Sequence, residues 1–224
     1  MAFSDSIAGK VYNVLLERND RVIETKNIKS ACELLKIDFT AVLVGLTRAE
    51  VLEPVIFKGV YYVRNREEKD LKTIKEDPLE VVARACNLKL KADWYYGLAT
   101  ALKLSGVWEQ QSHVTITVIS KKRVNRATSF AGMTIKFKQL SGVPFNKHVR
   151  KKGVMRYSDP SRTLLDYAYF GARNKESVDY AKTVLSELAK TKGGEEKLLK
   201  NASTLVNKYP GLYAVFLRKF FGLD

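Results

Sequence analysis

The first 65 residues alternate between apolar positions at helical spacing and short β-branched runs. In each helical segment the apolar side chains return every three or four residues, which places them on one face. Asp38 precedes the third such segment, where an aspartate side chain can cap a helix N-terminus. The predicted elements are a helix over residues 4–17, a strand over Arg21–Thr25, helices over Lys26–Leu35 and Phe39–Glu50, and a hairpin over Val51–Val63 that turns at Lys58 and Gly59.

This order of elements is typical of a winged helix-turn-helix, which we predict for residues 1–65. In that fold the third helix enters the major groove of DNA and the hairpin forms the wing. The predicted base readers are Thr40, Thr47 and Arg48, and the predicted wing contact is Lys58. A winged helix that docks only on protein is the alternative, since residues 1–65 carry 9 basic and 8 acidic side chains.

The pattern changes after the hairpin and predicts a second domain. Residues 66–76 are charged and poor in apolar side chains, which indicates a linker with a boundary near residue 70. Asp77 and Pro78 are typical of a helix start, with Asp77 as the cap, and the same holds for Asp159 and Pro160. We predict a mixed α/β domain over residues 77–224. Its predicted elements are helices over Asp93–Leu104 and Pro160–Gly171, strands at 114–119, 133–138, 143–145 and 153–157, and a C-terminal helical bundle over 177–190, 195–208 and 212–221. The predicted fold class is α+β.

The net charge of +15, from 39 basic and 24 acidic side chains, is concentrated in one stretch. Residues 110–158 hold 11 basic side chains and no acidic ones. Such a surplus favours a polyanionic partner, and a solvated basic surface without a partner is the alternative. The side chains that we expect to contact phosphates are Lys121, Lys122, Arg123, Arg126, Lys147, Arg150, Lys151 and Lys152.

No motif in the chain predicts an active site or a metal site. Glycine-rich phosphate loops and the esterase serine motif are absent. A metal-dependent nuclease needs carboxylates on central strands, but the strands at 114–119 and 133–138 lie in the acid-free stretch. Asp166 is expected to pair with Arg162, one helical turn away. We therefore predict a protein that is not an enzyme and that holds no cofactor or metal.

Some residues have both a structural and a functional interpretation. His113 and His148 suit structural or phosphate-contacting roles, and the aromatic run Trp94–Tyr96 suits either a core or a base-stacking platform. No apolar run reaches the roughly 18 residues that a membrane span needs, so no membrane partner is predicted. The N-terminus lacks the features of a signal peptide, and we expect a cytoplasmic protein.

Two segments of the second domain are similar to motifs of a known family. Ala101–Val107 resembles a helix end with the pattern S-A-L-x-x-H-G-L, although Ser105 stands where the family has its histidine. Pro160–Asp166 resembles the pattern P-E-R-T-L-L-D. With the preceding winged helix-turn-helix pattern, the chain resembles the AbiEi antitoxins of the abortive-infection AbiE toxin–antitoxin systems over most of residues 1–170.

The resemblance implies a DNA-binding antitoxin and transcriptional autorepressor. Such proteins bind inverted repeats in their operator through the N-terminal domain, and their C-terminal domain counters a nucleotidyltransferase-like toxin in type IV systems. The partners implied are therefore double-stranded operator DNA and such a toxin, with the oligomeric state left open. Two other classes remain as alternatives: a nuclease-like enzyme that processes nucleic acid, and a basic module that binds protein or RNA.

Overall fold

The computed structural model describes residues 6–106, 115–124, 128–171, 186, 200–201 and 203–209 of the 224-residue chain. Contacts between backbone positions divide the chain into two compact units. The first comprises Met1–Lys89 with Ser129–Gly132, and the second comprises Leu90–Thr128 with Met133–Asp224. The fold is mixed α/β, with two sheets among the described residues.

The first unit contains three helices and a small antiparallel sheet, followed by two further helices. The three helices and the hairpin predicted from the sequence lie where they were expected. The elements are α1 (Ile7–Leu16), β1 (Val22–Glu24), α2 (Thr25–Leu35), α3 (Phe39–Arg48), β2 (Leu52–Pro54), β3 (Val60–Val63), α4 (Arg66–Asp70) and α5 (Pro78–Leu90). The strand order is β1-β3-β2, and both pairs are antiparallel.

The helix α3 is set in place by its cap and by a close contact with α1. The Asp38 side chain accepts a hydrogen bond from the Ala41 backbone N–H at 2.8 Å, which confirms the predicted N-cap. On the inner side of α3, Val42 and Leu46 are fully buried. A Cβ added at Gly45 would lie 2.8 Å from the Ala8 Cβ, so only glycine lets the two helices approach this closely.

Residues 66–76, predicted as a linker, contain α4 and pack within the first unit. Glu68 is fully buried and its carboxylate accepts hydrogen bonds from the Tyr62 hydroxyl at 2.8 Å and from the Lys75 backbone N–H at 2.8 Å, and it pairs with Arg21. Burial alone would raise the pKa of Glu68. The hydrogen bonds from the Asn65 backbone N–H, from Lys75 and from Tyr62, together with the Arg21 charge, outweigh the burial and lower the pKa. Lys89 in α5 pairs with Glu24 of the same unit, and the division between the two units falls at residues 89 and 90.

The remaining elements form a six-stranded mixed sheet and two helices, and apart from most of β6 they belong to the second unit. They are β4 (Trp94–Tyr96), α6 (Leu98–Leu104), β5 (Thr115–Ser120), β6 (Thr128–Phe130), β7 (Met133–Gln139), β8 (Val149–Lys152), β9 (Met155–Ser158) and α7 (Pro160–Gly171). The strand order is β6-β7-β5-β4-β9-β8. Neighbours β5 and β7 are parallel, as are β4 and β9, whereas β4 with β5 and β8 with β9 are antiparallel.

The helix predicted over Asp93–Leu104 is wrong in its first part, because Trp94–Tyr96 forms the strand β4 and the helix begins at Leu98. All three aromatic side chains are fully buried. A strand covered on both faces is apolar without alternation, so a short aromatic run does not reveal whether it is a strand or a helix. The core interpretation of this run is confirmed, and the side chains are not accessible for stacking on bases.

The segment Val143–Phe145, predicted as a strand, is not one. Val143 and Phe145 are buried, but Pro144 lacks a backbone N–H, and its carbonyl accepts from the Arg162 guanidinium. The strand predicted at 153–157 is β9. Of the C-terminal helices, those predicted at 177–190 and 212–221 lie almost wholly outside the described residues. In the helix predicted at 195–208, residues 200–201 and 203–206 are helical.

The pair predicted between Arg162 and Asp166 is replaced by longer-range contacts. Asp166 accepts hydrogen bonds from the hydroxyls of Tyr95 at 2.8 Å and Tyr209 at 2.6 Å. The Arg162 guanidinium donates to backbone carbonyls, including that of Lys147 at 2.7 Å, and lies 4.4 Å from the centre of the Tyr95 ring. Burial raises the pKa of Asp166 to about 6, although the nearby guanidinium and the two hydroxyls oppose the rise.

Candidate nucleic-acid interface

The strand register brings two basic segments to one end of the six-stranded sheet. Trp94 in β4 is paired with Ser120, the last residue of β5. The parallel pairing of β4 with β9 puts Met155 level with Trp94, and Met155 is paired with Lys152, the last residue of β8. The C-terminal ends of β5 and β8 therefore share one end of the sheet. We call the five cations there the basic sheet end: Lys121, Lys122, Arg123, Lys151 and Lys152.

All five side chains of the basic sheet end are exposed. None of them forms an ion pair with a carboxylate in the part of the chain that the structure describes. Three strand spacings separate β5 from β8, so the strand ends that carry the two groups of cations lie about 14 Å apart. That distance is close to the roughly 12 Å width of the major groove of B-DNA, whose two edges are lined by phosphates.

The turn that carries the first three cations is held by hydrogen bonds to the sheet. The Lys121 backbone N–H donates to the Asp93 carbonyl at 3.0 Å. The buried Ser120 hydroxyl donates to the Lys122 carbonyl at 2.7 Å, and the Gln139 side-chain amide donates to the Lys121 carbonyl at 3.4 Å. These contacts fix the backbone while the side chains stay in solvent, so a phosphate contact would order few backbone dihedrals.

The remaining predicted phosphate contacts are spread over a wider surface. Arg150 is exposed on β8, one of the two edge strands of the sheet. Lys147 is exposed too, but it precedes Val149, which is paired with Ser158 at the opposite end of β9. Lys147 therefore lies away from the basic sheet end, and Arg126 lies outside the described residues.

Two further lysines of the acid-free stretch lie on β7. Lys136 is exposed, whereas Lys138 is half-buried with its ammonium 4.9 Å from the centre of the Phe170 ring. Burial lowers the pKa of Lys138, and the like charge of Lys136 lowers it further. Lys138 is thus occupied in a cation–π contact of the fold.

His148 has a carboxylate partner that sequence spacing did not reveal. Its Nδ1 lies 2.8 Å from Asp159 Oδ2, while Asp159 Oδ1 accepts from the Arg162 backbone N–H at 2.9 Å and so caps α7 as predicted. This arrangement favours the structural role for His148. His113 lies outside the described residues.

The predicted base readers are exposed on α3 of the first unit. Thr40, Thr47 and Arg48 all lie on the outward face of the helix. Sequence reasoning missed Ala41 and Val44, which share that face and of which Val44 is 44% exposed. Val44 lies four residues from Thr40 and from Arg48 and three from Thr47, and Ala41 lies three residues from Val44, so this helical spacing was the available signal.

The predicted wing contact lies at the tip of the β2–β3 hairpin. Lys58 is exposed, and the next residue, Gly59, has a φ of +74° that an L side chain adopts poorly. The Gly59 carbonyl accepts from the Thr25 backbone N–H at 2.9 Å, which ties the tip to the start of α2. The hairpin thus presents Lys58 from an anchored turn.

The fold is similar to a solved structure, the RV2827C protein from Mycobacterium tuberculosis. The alignment covers 96% of this chain and 77% of that chain, with a TM-score of 0.62 and 13% sequence identity. At this identity the likeness shows a shared fold and nothing about shared ligands. No protein-family model and no curated protein matches the chain.

No described helix is both long and apolar enough to cross a membrane. Within the same residues, no group of three or more His, Cys, Asp or Glu side chains is placed to hold a metal ion.

Proposed function

We propose that the chain is a DNA-binding antitoxin and transcriptional autorepressor that acts on double-stranded operator DNA with inverted repeats. The observation that carries the DNA-binding part is the basic sheet end, where five exposed cations without described acidic partners lie at a spacing that suits a DNA groove. Phosphate contacts of this kind supply affinity and position, while base contacts supply sequence preference.

The first unit supplies the base contacts in this proposal, as a winged helix-turn-helix. The support is the element order α1-β1-α2-α3-β2-β3 with the strand order β1-β3-β2, in which a hairpin follows the third helix directly. The outward face of α3 enters the major groove, and Lys58 contacts the backbone from the hairpin. The near-neutral charge of residues 1–65 leaves most of the electrostatic attraction to the second unit.

The antitoxin part of the proposal rests on the resemblance to the AbiEi family. Ser161–Tyr169, which includes most of the motif at Pro160–Asp166, is buried. In this proposal the motif therefore shapes the core of the second unit, and a nucleotidyltransferase-like toxin is countered through exposed surface.

Charge reversal in the first turn of the basic sheet end tests the DNA-binding part. We expect the triple variant Lys121→Glu, Lys122→Glu, Arg123→Glu to weaken binding to the promoter duplex upstream of its gene. If each residue contacts one phosphate, the slope of log K against log salt flattens by about 3. The measurement is a gel-shift or anisotropy titration at several salt concentrations.

A second triple variant controls for net charge: Lys10→Glu, Lys103→Glu and Lys208→Glu alter exposed lysines outside the basic sheet end. It changes the total charge by the same amount, and we expect it to leave most of the affinity and the slope in place. Duplex binding that is unchanged in the first variant, together with loss of toxin neutralisation, would show that this surface meets protein rather than DNA.

A further inference from the structure

The outward face of α3 is lined by methyl groups, and this feature deepens the proposed function on which it rests. We infer that α3 reads DNA by packing Val44, with Ala41 and Thr47 beside it, against the 5-methyl groups of thymines in the major groove. The specific site would then be a half-site rich in A·T pairs, with thymines beneath the centre of the helix. Val44 becomes the main specificity-determining residue.

Packing against α1 fixes the rotation of α3 about its own axis and so determines which residues of α3 face outward. Gly45 lies against Ala8 of α1 with room for a hydrogen atom only, and Val42 and Leu46 are fully buried. A helix held on this side presents the opposite side to solvent. The exposed residues of α3 are Thr40, Ala41, Val44, Thr47 and Arg48.

The chemistry of this face suits contacts with methyl groups better than hydrogen bonds to base edges. Hydrogen-bonded reading of bases relies mainly on Arg, Lys, Asn and Gln, whereas thymine methyls are read by apolar contacts. The face has no amide side chain, and its one cation, Arg48, is the last residue of the helix. The Thr47 hydroxyl donates to the Leu43 carbonyl at 2.8 Å, so its hydrogen is used within the helix.

The charges around this face favour DNA over a protein as its partner. Lys36 is exposed just before the N-terminus of α3, and Lys29 is exposed with its ammonium 5.3 Å from the centre of the Phe39 ring. Arg48 places a third cation at the other end. An apolar strip with cations at both ends complements a groove floor that carries methyl groups between two phosphate backbones. The acidic residue Asp38 also lies at the N-terminus of α3, where its carboxylate accepts the capping hydrogen bond from the Ala41 backbone N–H.

Removal of single methyl groups from the DNA tests the inference. The full-length protein is used to select duplexes from a randomised library, and the thymines of the enriched sequence are then replaced one at a time by deoxyuridine. Each replacement removes only the 5-methyl group. We expect affinity to fall about fourfold at each contacted thymine, the fold-change that corresponds to about 0.8 kcal/mol for one buried carbon.

A variant of α3 completes a double-mutant cycle with the modified duplexes. Val44→Ala should weaken binding to the thymine duplex and have little further effect on the duplex whose contacted thymine is already uracil. Leu71→Ala is the matched control, since Leu71 is a 60% exposed apolar side chain of the same unit outside α3. It should leave both affinities unchanged.

The outcomes separate this inference from the proposed function. Sequence-selective binding that tolerates uracil at every position overturns the methyl contact and leaves the DNA-binding proposal standing. Equal losses for Val44→Ala on thymine and uracil duplexes overturn it as well. If Val44→Glu binds selected duplexes as tightly as the unchanged protein, the face of α3 meets something other than DNA. Failure of any duplex to bind overturns both proposals.

Discussion

The buried carboxyl group of Asp166 makes stability depend on pH in a defined direction. Burial raises its pKa to about 6, above the ordinary value of 3.8, so the folded protein binds this proton more tightly than the unfolded chain. The stabilisation is present at low pH and is lost as the pH rises through about 6. From pH 5 to pH 7 this group should lower the free energy of unfolding by about 1 kcal/mol. For Asp166→Asn, the free energy of unfolding measured in urea should not show this fall between pH 5 and pH 7.

The comparison must be between variant and unchanged protein at each pH, because other groups titrate as well. Glu68 has a lowered pKa and so contributes stability that is lost as the pH falls. That component is present in both proteins and cancels. Asp70→Asn, at an exposed site, is the control and should keep the full pH dependence. An identical pH profile for Asp166→Asn would contradict the assignment.

At the scale of single residues, local roles were predictable and distant partners were not. The caps at Asp38 and Asp159 follow from their position before a helix, and both are confirmed. The partners of Asp166 lie 71 and 43 residues away along the chain, at Tyr95 and Tyr209. An arginine one turn away was the only partner that sequence spacing could offer.

The packing of α3 against α1 provides a test at the scale of elements. Replacing glycine by alanine inside a helix ordinarily stabilises it by about 1 kcal/mol. Gly45→Ala should instead destabilise the protein by about 1 kcal/mol, because the new Cβ would lie 2.8 Å from the Ala8 Cβ and the overlap outweighs the helix preference. The measurement is the free energy of unfolding in urea.

A second substitution shows whether that loss comes from the contact between the helices. Ala8→Gly removes the opposing Cβ, so Gly45→Ala should be tolerated better in its presence than alone. Simple additivity of the two changes would contradict the close contact as the cause.

Elements with one buried face were predictable from the sequence, and the pairing of strands was not. The amphipathic helices α1, α2 and α3 show a clear period because one side of each faces solvent. The strand β4 is buried on both faces and shows no period, so its sequence predicts a helix as readily as a strand. The basic sheet end depends on the order β5-β4-β9-β8, which joins segments about 30 residues apart in the chain. The charge count located the cations but could not show which of them share one end of the sheet.

For the whole molecule, the uneven charge predicts that affinity and sequence preference are carried by different units. Residues 110–158 supply 11 basic side chains, while α3 supplies one cation and a methyl-lined face. Neutralising the basic sheet end with five Gln substitutions should weaken binding equally on selected and random duplexes. It should also flatten the salt slope by about 4.5 if each cation meets one phosphate. Val44→Ala should do the reverse, reducing the preference for the selected duplex and leaving the slope unchanged.

The two sets of substitutions can be combined to test whether these contributions are independent. Because they alter contacts with different parts of the duplex, their effects on binding free energy should add to within about 0.5 kcal/mol. Anisotropy titrations on one selected and one random duplex, each at three or more salt concentrations, give the binding free energy and the salt slope for each duplex. A neutralised basic sheet end that also abolishes the preference for the selected duplex would contradict this division. It would mean that base reading depends on the phosphate contacts of the second unit.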